Sequence, residues 1–205
     1  MIKPNFDIEQ KLWAAGQKYV CGLDEVGRGC FAGSVVVGAV IFPQDVKIPD
    51  GLADSKMVPP KKRTKLAEEI KKLAVVWEIG EVGVDFINTN GIAQATQEAF
   101  RRALQKMAKK VKIDYCLIDA FYISGIDQRY QRPVQDGDKI CASISAASII
   151  AKVYRDGLMV QLHEKYPQYG FNQHKGYGTL KHREAIKKYG LCPLHRTSFN
   201  LEKFL

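Results

Sequence analysis

The chain has few of the features that would tie it to a membrane, a disulfide framework or a zinc site. Its five cysteines are odd in number, widely spaced and never arranged as Cys-x-x-Cys, so we expect reduced thiols rather than disulfides or zinc ligands. No apolar run approaches the length of a membrane span, and the first residues lack the apolar core and cleavage site of a signal peptide. These absences indicate a cytoplasmic protein.

Several familiar catalytic signatures are missing as well. There is no Walker loop for nucleotide phosphates, no Gly-x-Ser-x-Gly elbow and no internal repeat. The four histidines contain no pair at one-turn helical spacing, so we assign them no metal. The sequence therefore gives no indication of a P-loop enzyme, an α/β-hydrolase or a repeat protein.

What the chain does have is a globular composition with an excess of positive charge. Its 205 residues are 46% hydrophobic and 26% charged, which predicts one domain over residues 1–205 with a sizeable core. The formal net charge of +9 favours an anionic partner, and nucleic acid is the commonest one. Charge alone leaves open the alternative that the basic residues are only solvated surface.

Two adjacent acids lie between a buried strand and a glycine-rich turn. A β-prone entry leads to Asp24 and Glu25, the turn at 27–29 follows, and a second apolar run ends at Phe42. Neighbouring buried carboxylates repel each other and lose hydration, so a cation between them would stabilise both. Hard divalent cations bind oxygen ligands of this kind. The pattern predicts an antiparallel strand pair with a metal site beside a flexible, cationic loop.

A second carboxylate repeats this arrangement further along the chain. The apolar strand predicted at 114–118 ends on Asp119, and parallel neighbours would bring Asp119 beside Asp24.

The remaining pattern predicts helices at 1–17, 61–74, 92–110, from 142 onwards and at 180–189, a strand at 74–84, a helical turn or loop at 84–91, an irregular segment at 120–137 and a loop at 166–178.

Three stretches have both a functional and a structural interpretation. Ser55 and Lys56 could hold a phosphate, although a solvated, proline-rich loop explains them more simply. The basic end of the helix at 92–110 could extend a phosphate-binding surface or merely complement the helix dipole. The aromatic loop at 166–178 suits a sugar-phosphate surface through Tyr177, or ordinary aromatic packing.

Six motifs in series resemble those of ribonuclease HII, the type 2 ribonuclease H. They are YVCGLDEVGRG at 19–29, DSK at 54–56, LIDA at 117–120, GDKICASISAASIIAKVYRD at 137–156, HKGYGT at 174–179 and PLHRTSF at 193–199. Any one could arise by chance, but six in order over nearly the whole chain are highly specific. The related ribonuclease HIII carries an extra N-terminal domain, and the short stretch before the first strand favours HII.

The resemblance implies a ribonuclease H-like α/β fold, in which helices flank a mixed five-stranded sheet and a helical extension follows at the C-terminus. It also implies four metal-binding catalytic acids, which fall on Asp24, Glu25, Asp119 and Asp138. Asp138 is preferred over the nearby Asp136 because it follows a glycine and precedes Ser148 by ten residues, as in the family pattern. The extra acid at 136 and a lysine shifted by one position depart from that pattern.

The resemblance further implies which residues recognise the substrate. The turn formed by Gly27, Arg28 and Gly29 would sense a ribonucleotide 2′-hydroxyl through its backbone. Tyr177 would stack on the deoxyribose that follows, and Lys56 would contact a phosphate.

The implied reaction is cleavage of the RNA strand of RNA–DNA hybrids and nicking on the 5′ side of ribonucleotides embedded in duplex DNA, in the service of ribonucleotide removal. Two Mg²⁺ or Mn²⁺ ions about 4 Å apart would activate the water and stabilise the leaving oxygen, giving 3′-hydroxyl and 5′-phosphate ends. The sequence does not choose between the two metals. Another metal-dependent nuclease on the same fold, and a nucleic-acid-binding protein with a decayed site, are the alternatives.

The last eight residues, SFNLEKFL, have two interpretations. An apolar and aromatic tail could dock on a sliding clamp, whereas a terminal turn packed on the domain is the simpler explanation. A monomer is the default expectation.

Overall fold

The computed structural model describes residues 3–205 and contains a mixed five-stranded sheet. The strands are β1 (Val20–Val26), β2 (Val35–Ile41), β3 (Val76–Val82), β4 (Tyr115–Asp119) and β5 (Gln131–Val134). Their order is β3-β2-β1-β4-β5; β1 and β3 pair antiparallel with β2, while β4 pairs parallel with β1 and β5. The predicted antiparallel pairing of β1 with β2 and the parallel approach of β4 are both present.

Seven α-helices surround the sheet within residues 3–205. They are α1 (Asp7–Ala14), α2 (Pro60–Leu73), α3 (Val84–Ala108), α4 (Gly137–Ile140), α5 (Ala142–Lys165), α6 (Phe171–His174) and α7 (Leu180–Tyr189). Short 3-10 turns lie at Gln128–Tyr130, Pro167–Tyr169, Thr197–Phe199 and Leu201–Phe204. None of the helices in this range is long and apolar enough to cross a membrane.

Three elements differ from the sequence-based expectation, the first being the short helix α6, which lies in the segment 166–178 that was predicted as a loop. Helix α3 begins at Val84 rather than near residue 92, because the segment before Gly91 is itself helical and joins the main helix across a kink there (φ 79°). The prediction of an irregular segment at 120–137 was wrong for β5, a four-residue strand that contains Pro133. Proline lacks the N–H that a central strand needs, and β5 accommodates it at an edge of the sheet.

Strand β2 is apolar throughout because its side chains alternate between the two faces of the sheet and both faces are covered. Val35, Val37, Ala39 and Ile41 belong to the core beneath α3, whereas Val36 and Val40 belong to the core beneath α5 and α2. All seven residues are buried because helices cover both faces.

Helix α5 lies unusually close to β1 and β2. A Cβ added at Gly22 would lie 2.2 Å from the carbonyl carbon of Ser143, and one at Gly38 would lie 2.2 Å from the carbonyl oxygen of Ala147. Glycine is therefore required at both positions, since any side chain would push the helix away. The close approach brings the first half of α5 directly beside Asp24.

The C-terminal extension packs against the far half of α5 and the loop after β1. Ala32, Met159, Tyr169 and Phe171 form a separate small core there. A short antiparallel bridge between Ala32 and His195 ties the extension to the loop.

Candidate active site

Carboxylates from three elements meet at one edge of the sheet. Asp24 and Glu25 lie near the end of β1, Asp119 ends the parallel neighbour β4, and Asp138 lies in α4. All four line one cavity of about 540 Å³. Asp24 and Asp138 are buried, and the other two are half-buried. The parallel pairing of β1 with β4 produces this meeting, because it places both strand ends at the same edge.

A backbone hydrogen bond links the third and fourth acids. The Gly137 N–H donates to Asp119 Oδ1 at 2.8 Å, which fixes α4 against the end of β4 and directs Asp138 into the cavity. Asp136 lies outside the cavity, in a left-handed conformation (φ 53°) and paired with Lys139 at the surface. Of the two competing acids, the structure thus brings Asp138 to the other three.

Burial raises the pKa of every one of these carboxyls, and repulsion from neighbouring carboxylates adds to it. Burial raises the pKa of Asp24 well above its usual value, and the negative charge of Glu25 raises it further. Burial also raises the pKa of Glu25 to about 7, against the opposing effect of Arg28. The pKa values of Asp119 and Asp138 are raised mainly by burial as well. A positive charge in the cavity would therefore favour the ionised forms of all four.

The four carboxylates are chemically suited to divalent ions, although their side chains are not placed close enough together to hold one. Within residues 3–205, no three His, Cys, Asp or Glu side chains stand close enough to hold an ion as they are placed. Asp24 and Glu25 are adjacent in β1, so their side chains leave opposite faces of the strand. Four carboxylates are nevertheless the oxygen ligands that Mg²⁺ and Mn²⁺ prefer, and all four line the same cavity.

Several polar and cationic side chains complete the cavity. Lys56 lines it beside Ser55, whose hydroxyl lies 3.0 Å from that of Ser148. Lys152 and Arg63 also line it and both pair with Asp156, at 2.8 and 3.3 Å. Neither Arg63 nor Lys152 was predicted from the sequence to have a role. One available signal was the four-residue spacing of Ser148 and Lys152, which puts them on one face of α5.

The glycine turn borders the cavity next to the acids. Gly27 has φ 89°, and a Cβ there would lie 2.0 Å from Arg155 Nε, so both backbone conformation and space require glycine. Arg28 and Gly29 are exposed, and no atom lies within 4 Å of where a Gly29 Cβ would be. The turn is therefore fixed on its inner side and open toward the cavity.

Two fully buried arginines hold the loop that follows the turn. Arg155 donates to the carbonyls of Ser34 (2.9 Å), Ala32 (3.1 Å) and Lys175 (2.9 Å). Arg196 donates to the Gly33 carbonyl at 2.7 and 2.9 Å and to the Arg28 carbonyl at 2.8 Å. Burial lowers the pKa of Arg196 to about 10. Neither arginine was predicted from the sequence to shape the site.

Tyr177 faces the turn from the C-terminal extension. Its ring lines the cavity, with Lys152 Nζ 5.6 Å and the Arg155 guanidinium carbon 5.9 Å from the ring centre. Burial raises the pKa of the Tyr177 hydroxyl to about 12, so it is a neutral hydrogen-bonding group at physiological pH.

The basic end of α3 lies away from this site. Met107 contacts Cys21 at the beginning of β1, whereas the acids lie at the other end of that strand. Lys106 and Arg102 donate to the carbonyls of Ile79 and Glu81 along β3, an edge strand, at 2.7 and 2.8 Å. These contacts favour the structural interpretation of the basic run, which covers an otherwise open sheet edge.

Comparison with solved structures identifies the class of protein. The fold matches a Bst-RNase HIII in complex with Mn²⁺ (TM-score 0.74, 19% identity, 92% of this chain and 69% of that one). It also matches an RNase HII in a PCNA:RNase HII complex from Archaeoglobus fulgidus (TM-score 0.72, 25% identity, 88% and 93%). These neighbours confirm the predicted ribonuclease H-like fold.

Sequence comparison then gives the family. A sequence model of Ribonuclease HII matches residues 21–202. The Ribonuclease HII of Caldanaerobacter subterraneus subsp. tengcongensis is 46% identical over 197 residues (96% of this chain, 80% of that protein). That of Alkaliphilus oremlandii is 45% identical over 206 residues (98% and 100%). The chain belongs to the ribonuclease HII family. It is a ribonuclease H, a hydrolase that cuts phosphodiester bonds of RNA–DNA hybrids.

Proposed function

We propose that the chain nicks on the 5′ side of ribonucleotides, including single ones embedded in duplex DNA, and leaves 3′-hydroxyl and 5′-phosphate ends. One observation carries this proposal: the four carboxylates, the glycine turn and Tyr177 line a single cavity. Cutting and recognition can therefore act on the same nucleotide. The activity would serve the removal of ribonucleotides from DNA.

Asp24, Glu25, Asp119 and Asp138 would hold two divalent ions. Ribonucleases H depend on divalent metals. Bound Mg²⁺ or Mn²⁺ would supply an activated water and charge stabilisation for the leaving oxygen. Asp24 is buried, and the charges of Glu25, Asp119 and Asp138 all raise its pKa, so a bound cation would stabilise its ionised form. The Gly137 N–H holds Asp119 in place for this task.

Recognition of RNA would come from the turn. The 2′-hydroxyl is the group that distinguishes ribose from deoxyribose at a given nucleotide. The open space over Gly29 would leave room for a sugar to approach the backbone. Tyr177 would stack on the next deoxyribose, while Lys56 and Lys152 would contact the phosphates.

One assay tests the proposal against its alternatives. A labelled DNA duplex with one central ribonucleotide is incubated with the protein, with and without Mg²⁺ or Mn²⁺, beside an all-DNA duplex of the same sequence. We expect a single metal-dependent nick 5′ to the ribonucleotide and an intact control. Cleavage of the all-DNA duplex would indicate a general nuclease, and binding without cleavage would indicate a decayed site.

We also propose that the C-terminal tail docks on a sliding clamp, because one structural neighbour was solved as a PCNA complex. In this structure the tail packs on the domain: Leu201 is buried and the Phe204 ring stacks on Phe31 at 5.4 Å. Docking would therefore require release of Phe204. A binding measurement with Phe204→Ala tests this: loss of clamp binding with unchanged nicking is expected, and unchanged binding would contradict it. The cytoplasmic location and the monomeric state remain predictions.

A further inference from the structure

Three histidines connect the Tyr177 loop to the segment that carries Arg196. His182 and His195 are essentially inaccessible, and their Nε2 atoms lie 3.1 Å apart. His174 stacks on His182, with ring centres 4.3 Å apart. None of these histidines touches the carboxylates, and the proposed reaction gives them no role.

Hydrogen-bond geometry assigns the protons on His182 and His195. His182 Nδ1 lies 2.9 Å from the Tyr177 carbonyl, which only accepts, so this nitrogen carries a hydrogen. In a neutral ring His182 Nε2 is then an acceptor, and the hydrogen between the two rings belongs to His195 Nε2. His195 Nδ1 consequently accepts, and the Cys192 N–H donates to it at 2.9 Å. Every group in this chain of bonds is satisfied with both rings neutral.

The third histidine holds the same loop from the other side. His174 Nε2 donates to the Tyr169 carbonyl at 2.7 Å, and its Nδ1 accepts from the Gly176 N–H at 3.2 Å. The backbone on either side of the Gly176–Tyr177 peptide is therefore bonded to imidazole nitrogens. Lys175, just before this peptide, has a left-handed backbone conformation (φ 53°), which a residue other than glycine adopts only with support from its surroundings. The loop conformation therefore depends on these bonds.

The surroundings keep the rings uncharged. Burial, with a smaller contribution from the neighbouring His174, lowers the pKa of both His182 and His195 to about 4. The rings also contact Phe171 and Tyr169, which leaves little room for water around a charge. Protonated His182 would force His195 into its other tautomer and break the bond from Cys192.

We propose that His182 and His195 form a neutral two-imidazole relay that positions Tyr177, through its backbone carbonyl, against the glycine turn. They are positioning residues: they act on substrate only through Tyr177 and through the 192–196 segment that carries Arg196. The inference rests on the proposed recognition of the sugar by Tyr177 for its functional consequence, but not for the proton positions.

The proton positions can be measured on the unaltered protein. Long-range ¹H–¹⁵N correlation spectra distinguish the two neutral tautomers and the cation for each histidine, and the chain has four. Near neutral pH we expect His182 as the Nδ1–H tautomer and His195 and His174 as Nε2–H. His182 observed as Nε2–H, or as the cation, would overturn the relay.

Matched variants test the positioning role. The Asn side chain can place an N–H where His182 has Nδ1, whereas the Gln side chain reaches only the Nε2 position. His182→Gln should lower kcat/KM for the single-ribonucleotide duplex about tenfold, the effect of one lost buried hydrogen bond, while His182→Asn should restore most of it. The same Asn substitution at His163, which is outside the relay, should have no effect.

The outcomes separate the relay from the proposed function. If the unaltered protein does not nick the duplex, the proposed function fails and the tautomer spectra still decide the relay. If it nicks, and folded His182→Gln and His182→Asn both match it, the positioning role is contradicted. An equal loss of kcat/KM in His182→Gln and His182→Asn, with the NMR signals of the Tyr177 ring unchanged, would also contradict the positioning role.

Discussion

A buried glutamate in the first helix should contribute strongly to stability through the helix that borders the active site. Glu9 is 1% exposed, and its Oε1 accepts from the Ser143 N–H at 2.8 Å and from Cys141 Sγ at 3.1 Å. It thereby caps the N-terminus of α5 from a different helix. The N-cap residue of α5 itself makes no side-chain capping bond. Its other oxygen, Oε2, is buried without a partner.

These contacts predict opposite results for two substitutions. Glu9→Ala removes the cap, worth about 1 kcal/mol, and leaves a void in packed surroundings, for a total loss of about 3 kcal/mol in the free energy of unfolding. Glu9→Gln keeps an oxygen for the Ser143 N–H. Loss of the negative charge removes about 1 kcal/mol of interaction with the helix dipole but also removes the cost of burying that charge, while the unpaired position changes only from an oxygen to an amide group, so the net change should be close to zero.

Urea denaturation at neutral pH measures both values. We expect the free energy of unfolding to differ strongly between the Ala and Gln variants and only slightly between the Gln variant and the unaltered protein. If Ala and Gln are equally destabilised, the negative charge rather than the acceptor oxygen stabilises α5. If Ala is tolerated, the capping contact is not formed.

Three further predictions concern the site itself. Asp24→Asn should abolish cleavage while folding and duplex binding persist, since only the metal-binding charge is lost; retained cleavage would contradict the assignment. Tyr177→Ala should lose far more activity on a single embedded ribonucleotide than affinity for duplexes in general, as measured by kinetics and by binding titration. Burial raises the pKa of Glu25 from 4.5 to about 7, so its effect on stability is favourable below pH 4.5 and is lost as the pH rises to 7. In metal-free buffer, Glu25→Gln should therefore gain stability relative to the unaltered protein across that window, and a constant difference would refute the shift.

Much of the site could be predicted from the sequence because its acids follow local rules. Asp24 lies near the end of one apolar strand and Asp119 ends another, and parallel strands bring their ends together. The choice of Asp138 over Asp136 depended on the family pattern, since the left-handed turn that directs Asp136 outward has no clear sequence signal.

The residues that shape the recognition loop could not be predicted in this way. Arg155 lies midway along α5, and Arg196 lies in an irregular tail, yet both are fully buried. Most of their hydrogen bonds go to backbone carbonyls that lie more than 100 positions away in the sequence. Such pairing depends on how the extension folds back, and no periodicity encodes it.

The close seating of α5 on Gly22 and Gly38 has a mechanical consequence. Successive turns of this helix carry Ser148 and Lys152, which line the cavity, and Arg155, which holds the loop after the glycine turn. A methyl group at either glycine would lift the helix and shift all three side chains by a similar amount. The carboxylate cavity and the glycine turn therefore depend on one alignment, which the two glycines determine.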